Sequence, residues 1–433
     1  DDDDDDDDDD EEVPEAVDDI VDLLLRGIKD RDTMVRWSSA KGLARISRRL
    51  PRVFASDVVD TILEGLGTYD SDAEWNGACL AVAEMCRMCV LLPPQIPKAV
   101  TCFTRALRFD KLEGNRNVGS HVRDAACYVF WAFSRTYERR VLAEHTSQIA
   151  TELILASLFD REVNVRRAAN AALQELIGRQ EGVIGGIPLI QTLNFHSVGN
   201  LSQCFSSLAL QVGRIDESYE KAIVKELITC KLMHWDTTIR DHASSGIASF
   251  CSQYSNYIET LLPDLLRLAS SKRIAERHGA LLAISSILSD VSISAFDPIR
   301  KHYRELALLL PIFLAQKLRG NTAGLLRDAF LRMLEPFFLK LGNVSNITIR
   351  KEDFGGTTVL PPFLRKKVTD HYISYLFECL GHPRDEVHIL AGRAYAALLS
   401  TFPQEEVAKK VEELISLFTK PNVSPFIARG LSR

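Results

Sequence analysis

The chain has 433 residues, 46% of them hydrophobic and 26% charged, with a formal net charge of −7. That is the composition of an ordinary globular protein, and it excludes wholesale disorder, collagen-like repetition and a membrane bundle. The acidity is local: Asp1 to Asp10 with Glu11 and Glu12 supply twelve negative charges, and the remainder carries a formal +5.

Residues 1–12 come first. A dozen consecutive acids repel one another and bury nothing, so this stretch reads as an acidic disordered segment. Beyond it no apolar run approaches the roughly 20 residues that cross a bilayer. The longest, Leu306 to Ala315, is interrupted by Pro311, so no transmembrane segment is expected. The chain lacks a starting Met and a basic-then-apolar leader, which predicts an intracellular interior piece of a longer protein. Its nine cysteines, an odd number set in apolar stretches, read as reduced thiols.

From residue 13 the sequence repeats itself. Asp32-Thr-Met-Val-Arg-Trp-Ser-Ser-Ala40 recurs in kind as Ser120-His-Val-Arg-Asp-Ala-Ala126, as Asp160-Arg-Glu-Val-Asn-Val-Arg-Arg-Ala-Ala169 and as Trp235-Asp-Thr-Thr-Ile-Arg-Asp-His-Ala243. Weaker copies lie at Ala275–Ala280, Leu326–Ala329 and Asp385–Ala391. The markers Arg36, Arg123, Arg166, Arg240, Arg277 and Arg327 are separated by 87, 43, 74, 37 and 50 residues. The two long intervals hold degenerate copies near Glu74-Trp-Asn-Gly-Ala78 and Gly199-Asn-Leu-Ser-Gln203.

Each unit pairs two amphipathic helices around the signature. In the first, Val17, Ile20, Val21, Leu24 and Ile28 share a face, Lys29 to Asp32 turn the chain, and Val35, Leu43, Ile46 and Leu50 line the second helix before Pro51. Strand signals are scarce, and Leu92-Pro-Pro94 and Leu262-Pro263 read as breakers or first-turn residues. Helix pairs at this period predict an all-α HEAT/armadillo-type α-solenoid of about nine stacked helical hairpins. The expected organisation is a solenoid over 13–341, a loop or disordered insertion over 342–369, where Gly355-Gly356 and Pro361-Pro362 fall, and further helical repeats over 370–433. Gly182 to Gly186 is a shorter break.

Motifs that would carry catalysis are missing: no phosphate-cradling loop, nucleophile elbow or paired-histidine zinc helix is present. No catalytic or metal site, no cofactor and no enzyme activity of its own is therefore expected. Cys86-Arg-Met-Cys89 has no second cysteine or histidine pair nearby, and both thiols are expected in a core. His234 and His242 are expected on different elements. Asp and Arg around each turn read as a structural ladder, the Asp capping a helix and the Arg reaching an acid of the adjacent unit, for Asp32, Arg36, Arg166, Asp236 and Arg240. A net +5 without a Lys/Arg run is weak for phosphate tracking, so no nucleic-acid partner is expected.

The helical face opposite the apolar stripe is the better candidate for function. On the helix from Val122 the core side is Val122, Ala126, Val129, Phe130 and Phe133, which leaves Asp124, Tyr128, Trp131 and Arg135 on the far side. Registering Val35 with Val122 places Trp37, Lys41 and Arg48 on the same face, and registering Val165 adds Arg167 and Gln174. Trp, Tyr and Arg anchor protein interfaces, so these nine residues are the expected partner-binding face. Packing of the aromatics against the neighbouring hairpin is the equal alternative.

Three stretches, Asp32 to Pro51, Val122 to Tyr137 and Phe159 to Gln174, resemble the tubulin-folding cofactor D family. Met233-His-Trp-Asp236, Ile239-Arg240 and Arg277-His-Gly-Ala280 continue the likeness in the same order. It covers residues 13 to 290, and Gly342 to Thr369 matches no part of it. The resemblance implies a HEAT-repeat chaperone that receives β-tubulin after chaperonin release. It also implies work with tubulin-folding cofactors C and E and an Arf-like small GTPase to assemble or dissociate the αβ-tubulin heterodimer, contributing to stimulation of tubulin GTP hydrolysis. A cytoplasmic, cytoskeleton-associated location follows from the same likeness, and no catalytic residue is carried across. The residues alone leave open a generic HEAT-repeat scaffold for a phosphatase, kinase or transport complex.

Overall fold

The computed structural model describes residues 13–291, 299, 301–310, 313, 320–345 and 362–418. The acidic segment 1–12 lies outside them, as do residues 346–361 and 419–433. The chain divides into two compact units, Asp1–Ile223 and Val224–Arg433. Both are built as all-α stacks of the HEAT/armadillo kind.

The first unit contains α1 (Glu15–Gly27), α2 (Thr33–Ser47), α3 (Arg52–Gly65), α4 (Asp72–Arg87) and α5 (Ile96–Leu107). Next come the strands β1 (Lys111–Glu113) and β2 (Arg116–Val118), then α6 (Ser120–Thr136), α7 (Arg139–Phe159), α8 (Val163–Arg179) and α9 (Gly186–Thr192). Short helices α10 (Leu201–Gln203) and α11 (Ala209–Gly213) flank a π-helical stretch, Cys204–Leu208, in the region read as a degenerate copy. The helix α12 (Glu217–Glu226) straddles the division between the units. The second unit continues with α13 (Thr237–Gln253), α14 (Asn256–Ala269), α15 (Ile274–Asp290), α16 (Tyr303–Ala307), α17 (Gly320–Ser345), α18 (Pro362–Leu380), α19 (Asp385–Leu399) and α20 (Gln404–Phe418).

Second helices of successive hairpins pack on one another: α2 on α4, α4 on α6 and α6 on α8 in the first unit. In the second, α13 packs on α15, α15 on α17 and α17 on α19. First helices cover the outer side, as α5 does on α6 and α14 on α15. The apolar stripe drives this arrangement. Val122, Ala126, Val129, Phe130 and Phe133 of α6 are all fully buried, and each large side chain so removed from water stabilises the stack by about 1.5–3 kcal/mol. Phe130 and Phe133 meet edge to face at 6.0 Å, and Phe133 meets Phe103 of α5 at 6.5 Å.

Close approach between hairpins is set by two glycines. A Cβ on Gly77 would lie 1.7 Å from the Ile28 carbonyl oxygen, and one on Gly279 would lie 2.0 Å from that of Leu232. In each case the preceding turn presses a carbonyl onto a helix that only glycine leaves bare.

The expected ladder exists, but mostly with different partners. Asp32 and Asp236 cap their helices, accepting from the Met34 and Thr238 amides at 2.7 and 2.8 Å. The arginines turn back to backbone oxygens. Arg36 donates to the carbonyl of Asp30, Arg166 to that of Asp160, Arg240 to that of His234 and Arg277 to that of Ser271, in every case six residues earlier. The cross-links to the next hairpin are Arg36 to Asn76 Oδ1 at 2.9 Å, Arg166 to the Val198 carbonyl at 2.7 Å and Arg240 to His278 Nδ1 at 3.1 Å. Only Arg123 among these meets an acid across a hairpin, Asp160, with Nη2 to Oδ1 at 3.1 Å. A turn that buries its own carbonyls must satisfy them, and a guanidinium with five donors does so where an acid would add a second buried charge.

Several expectations need correction. Val35 is 41% exposed, whereas its register mates Val122 and Val165 are buried, because no described helix packs ahead of α1. Ile20 is exposed on α1 for the same reason. Pro263 lies inside α14 rather than at its start. Of the loop or insertion expected over 342–369, residues 342–345 belong to α17 and 362–369 to α18, while 346–361 lie outside the described residues. Proline at the first helical position costs no hydrogen bond, so Pro362 starts a helix there. Cys89 is exposed, beyond α4, at φ 59°, while Cys86 is buried. The β1–β2 hairpin pairs Glu113 with Arg116 around Gly114 at φ 61°, and its three-residue strands are too short to show an alternating pattern.

Candidate partner-binding face

α4 is buried from Trp75 through Cys86, so its outward side lies beneath side chains from both neighbours. Trp37 of α2 and Tyr128 of α6 meet over it, ring centroids 5.9 Å apart. Tyr128 stacks in turn on Trp131 at 5.8 Å and 23°. Each end of this row carries a cation: Lys41 Nζ lies 4.9 Å from the Trp37 ring and the Arg135 guanidinium 4.7 Å from that of Trp131. Such contacts are worth about 0.5–1 kcal/mol each at partly exposed sites. All three rings are half-buried and Arg135 is exposed. Arg135 also lies 3.7 Å from Glu175 of α8.

Beneath the row sits a charged triad that the sequence reading missed. Tyr128 Oη donates to Glu84 Oε1 at 2.8 Å and accepts from Arg87 Nη1 at 3.0 Å, and Arg87 reaches Glu84 at 3.2 Å. Glu84 is only 3% exposed. Burial, and after it the bond to Glu84, pushes the Tyr128 hydroxyl up to about 12. The signal in the sequence was a Glu and an Arg three residues apart on an otherwise apolar helix, the spacing at which charges pair.

Of the nine expected face residues, Trp37, Lys41, Tyr128, Trp131 and Arg135 form this continuous row. Arg48 is exposed past the end of α2, where Nη1 lies 3.8 Å from Met88 Sδ. Asp124 is exposed one turn before Tyr128 and joins no ring or ion pair of the row. Arg167 lies over the Phe195 ring at 3.9 Å, and Gln174 is half-buried on α8. The row is therefore both packing between hairpins and a surface with rings and cations reaching solvent.

Among the described residues no three His, Cys, Asp or Glu side chains gather as a metal-ligating group. All nine cysteines are free and seven are buried, and burial drives the Cys86 thiol well up, away from the thiolate that reactive chemistry needs. His234 sits in the turn before α13, its Nδ1 accepting from the Asp236 amide at 3.0 Å, and His242 lies on α13. Among the described residues no helix is long and apolar enough to cross a membrane.

Residues 1–187 match a family model described as tubulin-specific chaperone D-like, ARM repeats. The chain is 38% identical over 279 residues to the tubulin-specific chaperone D of Dictyostelium discoideum, an alignment covering 63% of this chain and 19% of that protein. It is 31% identical over 299 residues to the tubulin-folding cofactor D of Schizosaccharomyces pombe, covering 65% of this chain and 27% of that one. The chain thus spans well under a third of either relative. The blocks Asp32 to Pro51, Val122 to Tyr137 and Phe159 to Gln174, which carry the sequence likeness, all fall within the 187 matched residues. A crystal structure of importin beta aligns over 96% of this chain and 52% of its own at 12% identity and a TM-score of 0.31, too loosely to carry an argument.

Proposed function

We propose that this chain is the part of a tubulin-folding cofactor that engages β-tubulin, and that it does so with the aromatic and cationic row of α2, α4 and α6. The observation carrying this reading is the 38% identity to a tubulin-specific chaperone D over 279 residues. The row supports it physically: half-buried Trp and Tyr rings present apolar area already ordered before binding, and flanking Lys and Arg add charge at the rim. The finer reading is that the cofactor works with tubulin-folding cofactors C and E and an Arf-like small GTPase to assemble or dissociate the αβ-tubulin heterodimer in the cytoplasm. It would thereby help stimulate GTP hydrolysis by tubulin, with the nucleotide chemistry belonging to the partner.

The test is capture of β-tubulin by the chain, with and without the double change Trp131→Ala, Tyr128→Ala, beside thermal unfolding of both. Lost capture with a melting temperature changed by only a few degrees supports the row as the tubulin surface. Capture that survives the double change sinks the assignment of the row. Absence of β-tubulin capture by the folded unmodified chain sinks the functional reading itself.

A further inference from the structure

The end of the first hairpin carries four arginines that the tubulin reading leaves unused. Arg45, Arg48, Arg49 and Arg52 follow one another at the close of α2 and the start of α3, and all four are exposed. None of them forms an ion pair among the described residues; Arg48 has only its contact with Met88. Several other exposed arginines of the first unit do meet acids: Arg135 and Arg179 meet Glu175, Arg139 meets Glu181 and Arg140 meets Glu138.

The register of the hairpin says what lies beside them. α1 and α2 run antiparallel, with Gly27 against Ser39 and Gly42 against Leu24. That antiparallel packing puts the N-terminal end of α1, at Glu15, on the side where α2 ends at Ser47 and the chain turns through Arg48 and Arg49. The chain therefore leaves α1 on its N-terminal side at the arginines, and what leaves is Asp1 to Glu12, twelve acids without a cation. Twelve residues reach up to about 40 Å when extended, far more than this short gap requires.

We propose that Arg45, Arg48, Arg49 and Arg52 form a docking surface for an acidic chain segment, and that its occupant is this chain's own acidic stretch, Asp1 to Glu12. Carboxylates suit the site because guanidinium forks take them two bonds at a time. Tethering makes the docking intramolecular, with an effective concentration near millimolar, so it outcompetes acidic peptides supplied from solution. This inference does not depend on the tubulin reading.

A fluorescent deca-aspartate peptide tests it, titrated at about 50 mM salt, where surface charge is weakly screened. The full chain is compared with one in which Asp1 to Asp10 are each changed to Asn. The neutralised chain should bind the peptide about tenfold more tightly than the native one. Adding Arg45→Glu, Arg48→Glu and Arg49→Glu to the neutralised chain should remove that gain, and glutamine at the same three positions should leave an intermediate affinity. Circular dichroism should show equal helicity in all forms, because the changed side chains are exposed. Equal peptide affinity in the native and neutralised chains would overturn the proposal, as would a gain that survives the charge reversals in folded protein.

Discussion

The two units use one hairpin grammar and present different faces. With Arg240 of α13 in register with Arg123 of α6, the positions of Tyr128, Trp131 and Arg135 are taken by Ser245, Ala248 and Ser252. The hydroxyls of Ser245 and Ser249 bond back to carbonyls four residues earlier on their own helix, at 3.3 and 2.9 Å, and Ser289 of α15 does the same at 2.9 Å. Such bonds satisfy a side chain locally and offer a partner little. The first unit spends the same positions on rings and cations that reach across α4. Turn-closing donors and apolar stripes recur in both units because stacking requires them; the positions of Tyr128 and Trp131 differ, and in the second unit the Trp131 position is a buried Ala248.

The largest expected effect tests whether the rungs are equivalent. Arg123 is 2% exposed and, alone among Arg36, Arg123, Arg166, Arg240 and Arg277 within the described residues, cross-links to a buried acid, so Arg123→Ala strands Asp160 in the interior and should cost about 3–5 kcal/mol in urea unfolding. Arg277, which among the described residues donates only to the Ser271 carbonyl, should cost about 1.5–3 kcal/mol when changed to Ala. Equal losses would mean that the acid adds nothing to the rung.

A second prediction uses the rung in which the units differ by a titrating group. Arg36 donates to Asn76 where Arg240 donates to His278. Burial, followed by the nearby Arg240 and Arg332 charges, lowers His278 to about 4 from an ordinary 6.5. Between those values the unfolded chain takes up a proton that the folded chain refuses, so stability is full above 6.5 and falls as pH drops towards 4. His278→Asn, which copies the first unit's acceptor, should flatten the melting temperature over that window. An unchanged slope in the variant would assign the acid sensitivity to other groups.

The smallest effect concerns the turn after α4. Cys89 adopts φ 59° while its amide donates to the Cys86 carbonyl and the Val90 amide to that of Met85. This is a helix-ending geometry that favours glycine. Cys89→Gly should raise stability by about 1 kcal/mol, read from denaturant midpoints. A loss instead would show that the exposed thiol makes a contact worth more than the backbone strain.

Much of this was legible in the sequence for one physical reason. Helix formation, capping and apolar periodicity depend on residues within about four positions of one another, so Asp32, Arg36 and the stripe from Val122 to Phe133 announced hairpins, core and turns directly. The same register correctly gathered Trp37, Lys41, Tyr128, Trp131 and Arg135 on one face. It could not show that Trp37 and Tyr128 touch over a buried α4, nor that Glu84 and Arg87 hold the Tyr128 hydroxyl between them. Those contacts depend on the offset with which one hairpin slides against the next, which is set by side-chain volume at positions such as Gly77 and Gly279. Exposure of Val35 was hidden likewise, since burial belongs to whichever helix lies alongside. The sequence by itself determined the repeating hairpin and its core; tertiary stacking decided which outward side chains meet, because only packing brings together residues forty and more positions apart.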